Sequence, residues 1–248
     1  MEEKSLNHGE ISLAHNGVLF LDELTEFNKN VLETLRGPLE DREITISRID
    51  TSVTYPCNFI FIASMNPCPC GYYGSSEKEC KCHPEQIKKY INKISGPLLD
   101  RIDLHIETSK TEYTKLESNT KEESSKEIQR RVNKARNIQN ERYLHDKIFC
   151  NAQMDSKLIQ KYCKLDSKSK TILEKAFNNL GLSARAYTRI LKVARTIADL
   201  EGEKNIKLNH ISEAIQYRTL DRKYWKWKVK NKIKVKKQKI KYKKIKHR

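Results

Sequence analysis

The chain of 248 residues is 37% hydrophobic and 33% charged, enough for one large domain or two modest ones. No apolar run approaches the roughly 20 residues of a membrane-spanning helix, and the N-terminus does not read as a signal peptide, so a cytoplasmic protein is expected. The formal net charge is +17, but Arg222 to Arg248 carry 15 Lys or Arg and no acid, which leaves only +2 for the first 221 residues.

In chain order, Gly17-Val18-Leu19-Phe20-Leu21 reads as a strand running into Asp22-Glu23. Its unbroken hydrophobicity predicts a parallel strand covered on both faces. Asn28 to Glu40 places Val31, Leu32 and Leu35 at helical spacing. Between Glu43 and Tyr55, the apolar residues Ile44, Ile46, Val53 and Tyr55 alternate with polar ones around Asp50, which predicts a hairpin. Phe59 to Ala63 is a second buried strand, with Asn66 beyond its end, and Leu104 with Ile106 marks a third, shorter one. From about Ser118 the pattern turns helical. Ile128, Val132, Ala135 and Ile138 share one face, and so do Tyr187, Ile190, Leu191, Ala194, Ile197 and Ala198. Leu208-Asn209 followed by Ser212-Glu213 looks like the capped start of a last helix. The expected organisation is an α/β part over residues 1–110, a helical part over 111–220 and a basic low-complexity tail over 221–248.

Two adjacent acids at the carboxyl end of a parallel strand are what a Walker B element requires. One carboxylate can hold the Mg²⁺ that bridges nucleotide phosphates and the other can orient an attacking water. Strands ending in acids before a helix are also common without such a role. Asn66, in Met65-Asn66-Pro67, is either a polar amide at the same sheet end or a turn-forming residue before proline. Seven cysteines, an odd number in a chain without a leader, argue against a disulfide framework. Cys68-Pro69-Cys70 and Cys80-Lys81-Cys82-His83 bring four thiols within fifteen residues. Four thiolates suit a structural tetrahedral Zn²⁺, with His83 able to replace one sulfur, although both arms are tighter than the usual C-x₂₋₄-C. Unligated thiols are the other reading.

Read together, GEISLAHNGVLFLDEL, RGPLEDREITISR, ASMNPCPCGYYG and SGPLLDRIDLHIE resemble consecutive blocks of the magnesium-chelatase-like AAA+ ATPase family of the ComM/YifB type. LSARAYTRILKVARTIADLEG and EAIQYR are similar to that family's C-terminal lid. The resemblance spans roughly residues 9 to 225. It implies a partial AAA+ parallel-sheet core with a β-hairpin insertion, followed by an all-helical lid. It also implies Asp22 as the Mg²⁺ ligand, Glu23 as the water-activating carboxylate and Asn66 as the sensor of the γ-phosphate. Arg101, in LLDRID, would be the finger that reaches a neighbouring subunit's nucleotide, and Arg185, in SARAYTR, the lid's sensor arginine. The residues themselves also allow Arg101 to pair with Asp100 or Asp103. They allow Arg185, Arg189, Lys192 and Thr196 to form a solvated polar face. By resemblance the intact relatives form rings, expected to be hexameric, that hydrolyse ATP and process DNA; nothing indicates porphyrin metallation.

One element is missing from the sequence. A phosphate-binding loop needs G-x-x-x-x-G-K-[ST], and none of the eight glycines is followed by Lys. In the family, the strand bearing that loop lies between the Asn66 strand and the Leu104–Ile106 strand. Its loss predicts exposed apolar surface and no ATP hydrolysis by the chain alone. The alternatives are a non-catalytic subunit that offers Arg101 to a neighbour, a truncated or frameshifted gene product, or a zinc-containing nucleic-acid-binding module. In the last, tail lysines would meet phosphates and Trp225, Trp227 and Tyr242 would stack on bases. A disordered tail is the simpler reading of that segment.

Overall fold

The structure, a computed structural model, describes residues 9–48, 51–75, 78–108 and 123–218. The basic segment 221–248, with Trp225, Trp227 and Tyr242, lies outside the described residues. Two compact units divide the chain, Met1–Ile102 and Asp103–Arg248.

In the first unit a single helical turn, α1 (Glu10–Leu13), leads into β1 (Val18–Leu21). This strand pairs in parallel with β4 (Ile60–Ala63), in the register Val18↔Ile60 to Leu21↔Ala63. The pair is not covered on both faces as the hydrophobic run predicts. Val18, Phe20, Ile60 and Ile62 are 54%, 56%, 63% and 47% exposed, while Leu19, Leu21, Phe61 and Ala63 are half-buried. Side chains alternate across a strand, and the described residues of this unit cover only one face of the pair. The expected exposed apolar surface is therefore present.

The helix expected over Asn28 to Glu40 is two short ones, α2 (Lys29–Thr34) and α3 (Arg36–Asp41). The Asn28 side chain caps α2 by accepting from the Asn30 amide at 2.9 Å. Pro38 has no amide hydrogen to return to Thr34, which explains the break at Leu35. The hairpin forms as predicted: β2 (Glu43–Arg48) and β3 (Thr51–Pro56) are antiparallel, with Ile44 opposite Tyr55 and Ile46 opposite Val53. On the other face the Thr45–Thr54 and Ser47–Ser52 hydroxyls pair at 2.8 and 3.0 Å. Beyond the cysteine loop come α4 (Pro84–Ile91), which has proline in its first turn, and α5 (Gly96–Leu99), capped by Ser95. Leu24, Leu32, Leu35, Ile91, Ile94, Leu98 and Leu99 are the main buried apolar residues of this unit.

The second unit is helical among its described residues. It comprises α6 (Ser125–Arg142), α7 (Ser156–Tyr162), α8 (Ser167–Leu180), α9 (Ala184–Glu201) and α10 (Leu208–Gln216). Punctuation residues set the ends. Ser124 and Glu127 form a reciprocal capping box on α6, and Asp155, Asp166 and Ser183 cap α7, α8 and α9. Gly181 and Gly202 terminate α8 and α9 with φ of 61° and 76°, the left-handed conformation that ends helices. Helix α9 is the hub. Its Ile190, Leu191, Ala194 and Ile197 sit in one core with Tyr143, Met154, Leu173, Ile211 and Ala214. The apolar stripe predicted on α6 is buried only at Ala135. Ile128 and Val132, nearer its start, are exposed, since no described element of this unit packs over that half.

Leu104–Ile106 forms no strand among the described residues. A strand needs a ladder partner, and among the described residues the His105 amide instead donates to the Tyr217 carbonyl just past α10, at 2.9 Å. The architecture is thus α/β, with a short parallel pair and a hairpin, followed by helices.

Candidate functional site

Because β1 and β4 are parallel and in register, their carboxyl ends lie side by side. That is where ligands approach open α/β sheets. Asp22-Glu23 follows one strand and Ser64-Met65-Asn66 the other. Ser64 knits the two ends together. Its amide donates to the Leu21 carbonyl at 3.0 Å, its carbonyl accepts from the Leu24 amide at 2.8 Å, and its hydroxyl donates to Asp22 Oδ1. The Glu23 amide also donates to Asp22 Oδ1, at 3.0 Å. One carboxylate oxygen is thereby anchored, while Oδ2 has no protein partner among the described residues. A carboxylate held this way is a hard oxygen ligand whose orientation is set before any cation arrives.

Glu23 adopts φ 49° and ψ 52°. This left-handed conformation costs a residue with a Cβ on the order of 1–2 kcal/mol. Such strain collects at functional sites, where the surrounding bonds over-determine it. Here those bonds are the Ser64–Leu24 and Glu23–Asp22 contacts, and the exposed Glu23 side chain stands at the strand end. Asn66 is also exposed at this end.

Arg101 belongs to the same unit but is not displayed at its surface. Its side chain is only 9% exposed. One guanidinium nitrogen donates to the Pro97 carbonyl at 2.8 Å and another pairs with Glu40. The ion-pair partner is therefore neither Asp100 nor Asp103, the two neighbours in sequence, but an acid 61 residues away. Arg185 is exposed in the first turn of α9, in the second unit. The polar face it shares is only partly solvated: Arg189 pairs with Asp103, Lys192 donates to the Ala152 carbonyl at 2.9 Å, and Thr196 accepts from Asn151 at 3.0 Å.

The four clustered cysteines converge. Their sulfurs lie within 4.8 Å of one another, with Cys68–Cys70 at 3.4 Å, Cys70–Cys80 at 3.5 Å and Cys68–Cys80 at 3.7 Å. Cys68 is buried and the other three are partly so. His83 is not a member of the group; its amide donates to the Gln86 side chain at the start of α4. A backbone N–H from Tyr72, helped by the neighbouring thiols, holds the Cys70 thiol down to about 6. For Cys80 the Cys82 amide pulls down, but desolvation and the thiols of Cys70, Cys68 and Cys82 push it up to about 12. One thiolate forms readily beside such neighbours and the next do not, because like charges at this spacing oppose one another.

Sequence reasoning missed two residues. Ser64 had a usable signal, a hydroxyl directly after a strand paired with one that ends in Asp. Glu40 had none, because its bond to Arg101 exists only in the folded unit.

The family model described as "Magnesium chelatase, subunit ChlI" matches residues 2–116, and "Magnesium chelatase, subunit ChlI C-terminal" matches residues 122–218. The chain belongs to the magnesium-chelatase-like family. Within it, the chain is 49% identical over 215 residues to Competence protein ComM of Haemophilus influenzae. It is 46% identical over 215 residues to the uncharacterized protein YifB of Escherichia coli. Each match covers 86% of this chain and 41% of the relative, so the chain spans about two fifths of the length of these ComM/YifB proteins. A Mycobacterium tuberculosis relative is 34% identical over 210 residues, 85% of this chain and 41% of its own. No helix among the described residues is long and apolar enough to cross a membrane.

Proposed function

We propose that this chain supplies the Mg²⁺-binding, sensing and lid elements of a cytoplasmic, ring-forming ATPase of the ComM/YifB type that acts on DNA. The observation that carries this reading is Asp22. It is pinned by Ser64 at the carboxyl end of a parallel pair, next to a Glu23 whose backbone is held in a strained conformation. A carboxylate oxygen suits Mg²⁺, and Asp22 would hold that ion as its protein ligand; bound there, the ion would neutralise charge on phosphate oxygens. Glu23 is suited to orient a water, and Asn66 to donate to a phosphate oxygen. Arg185 would contribute from the lid.

The residues present do not fit the nucleotide's phosphates as a whole, because the chain contains no G-x-x-x-x-G-K-[ST] cradle. Those phosphates must be held by residues outside this sequence. Arg101 would serve a neighbouring subunit's nucleotide only after its pairing with Glu40 opens. A guanidinium delivered in this way is worth about 10³–10⁵ in rate in related chemistry.

The purified chain alone is expected to hydrolyse no ATP above background; turnover that vanishes in Glu23→Gln would overturn this. If the chain docks beside a family member that carries a phosphate-binding loop, it should raise that partner's ATPase. Arg101→Ala should abolish the gain, and equal stimulation by both chains would reject the finger role. If the tail, where 15 Lys or Arg lie without an acid, contacts DNA, deleting residues 226–248 should remove most of the binding. Its affinity should then fall steeply with salt.

A further inference from the structure

We infer that Cys68, Cys70, Cys80 and Cys82 bind one Zn²⁺ as a tetrathiolate, and that this ion clamps the segment after Asn66 to the start of α4. Tetrahedral Zn²⁺ with Zn–S of about 2.3 Å requires sulfurs about 3.8 Å apart. The separations of 3.4, 3.5 and 3.7 Å, with all four sulfurs within 4.8 Å, are close to that figure. They are far beyond the roughly 2.05 Å of a disulfide.

The backbone is already arranged for the centre. Pro69 stiffens the first arm. Gly71 and Gly74 take φ of 79° and 84°, which lets the chain turn back towards the second arm. The Tyr73 amide donates to Cys68 Sγ at 3.3 Å, as amides do around metal-bound sulfur. Thiols alone are weak donors and weak acceptors, a poor reason for four of them to meet around a buried member.

Charge supports the same assignment. Zn²⁺ enters as four S–H bonds give their protons to solvent, leaving a centre of net charge two minus. The groove beside the cluster, lined by Pro69, Cys70 and Cys82, also carries Lys81, Lys89 and Lys93, cations placed to offset that charge. A soft all-sulfur set selects Zn²⁺ or iron over Mg²⁺ or Ca²⁺. The consequence is positional: Asn66 lies two residues before Cys68, so the ion would fix the loop that presents Asn66 at the sheet end.

The test is elemental analysis of the full chain prepared without chelators, followed by Co²⁺ titration of the stripped protein. We expect about one Zn²⁺ per chain, and with Co²⁺ the strong absorption of tetrahedral cobalt thiolates. Cys150→Ser, outside the cluster, should keep the ion, whereas the double variant Cys80→Ser/Cys82→Ser should lose it. If that double variant fails to fold, the Co²⁺ spectrum of the unaltered chain still decides. Uptake should weaken as pH falls, because protons compete for the thiolates. No metal and no cobalt thiolate band, or stoichiometric iron in place of zinc, overturns the inference. None of these readouts depends on ATP turnover.

Discussion

Asp199 offers the most quantitative test of how the helical unit holds together. Its carboxylate is fully buried at 0% exposure and sits between two guanidinium groups. Arg142 reaches it with two nitrogens, one at 2.7 Å. Arg195 donates through Nε at 3.1 Å, and the Asn151 amide donates at 2.8 Å. Arg195 is itself buried; its Nη2 also lies 3.0 Å from Asp199 Oδ1, and its terminal nitrogens donate to the Lys204 and Glu203 carbonyls. Asp199→Ala leaves two cations at least half-buried without their counter-charge. Breaking a buried pair from one side costs about 3–5 kcal/mol. For a domain of 60–100 residues each kcal/mol lowers the melting temperature by about 4–8 °C, so a fall on the order of 12 °C or more is expected. The loss also rivals the roughly 5–15 kcal/mol that typically holds a domain folded. Urea titration of the full chain, followed by helical circular dichroism, reads this directly. Asp146→Asn serves as the control, because its ion pair is with the exposed Lys161, where solvent screens the attraction, and an Asn oxygen can still accept from the Tyr162 hydroxyl. An Asp199→Ala penalty no larger than that of the control would refute the reasoning, since the arginines would then have found solvent.

Acid should loosen the same helices. Asp166 is held below its ordinary 3.8 by the Ser169 side chain and amide, and Asp146, also from 3.8, by the Tyr162 hydroxyl. Glu127 is held below 4.5 by the Ser124 amide and Glu201, also from 4.5, by His210. Each is depressed on folding, so its contribution is complete above the unfolded value and disappears as pH falls through the lower folded one. The melting temperature of the helical signal should be level above 4.5 and decline below 3.8; a rise on acidification would contradict this. At the strand end, Glu23→Gly should relieve the left-handed backbone and raise the unfolding free energy by up to about 1 kcal/mol. Urea titration reads this change, and an unfolding free energy lowered by Glu23→Gly would contradict the strain argument.

Much of this protein is legible without coordinates because its signals are local. The hairpin follows from two-residue alternation around Asp50, and α9 from apolar residues three and four apart from Tyr187 to Ala198. Ligand-type residues are equally local: Asp22-Glu23 after an apolar run, and two C-x-C arms separated by glycines. What failed were expectations that needed a partner. Val18, Phe20, Ile60 and Ile62 read as buried, and Leu104–Ile106 as a strand, yet burial and pairing depend on what lies opposite, and no described element of the same unit lies there. The tertiary structure alone decided that Ser64 anchors Asp22, that Arg101 turns inward to Glu40, and that Asp199 joins Arg142 to Arg195. Those contacts span tens of residues, and a side chain's chemistry shows what it can bind but not which distant group the fold brings within reach.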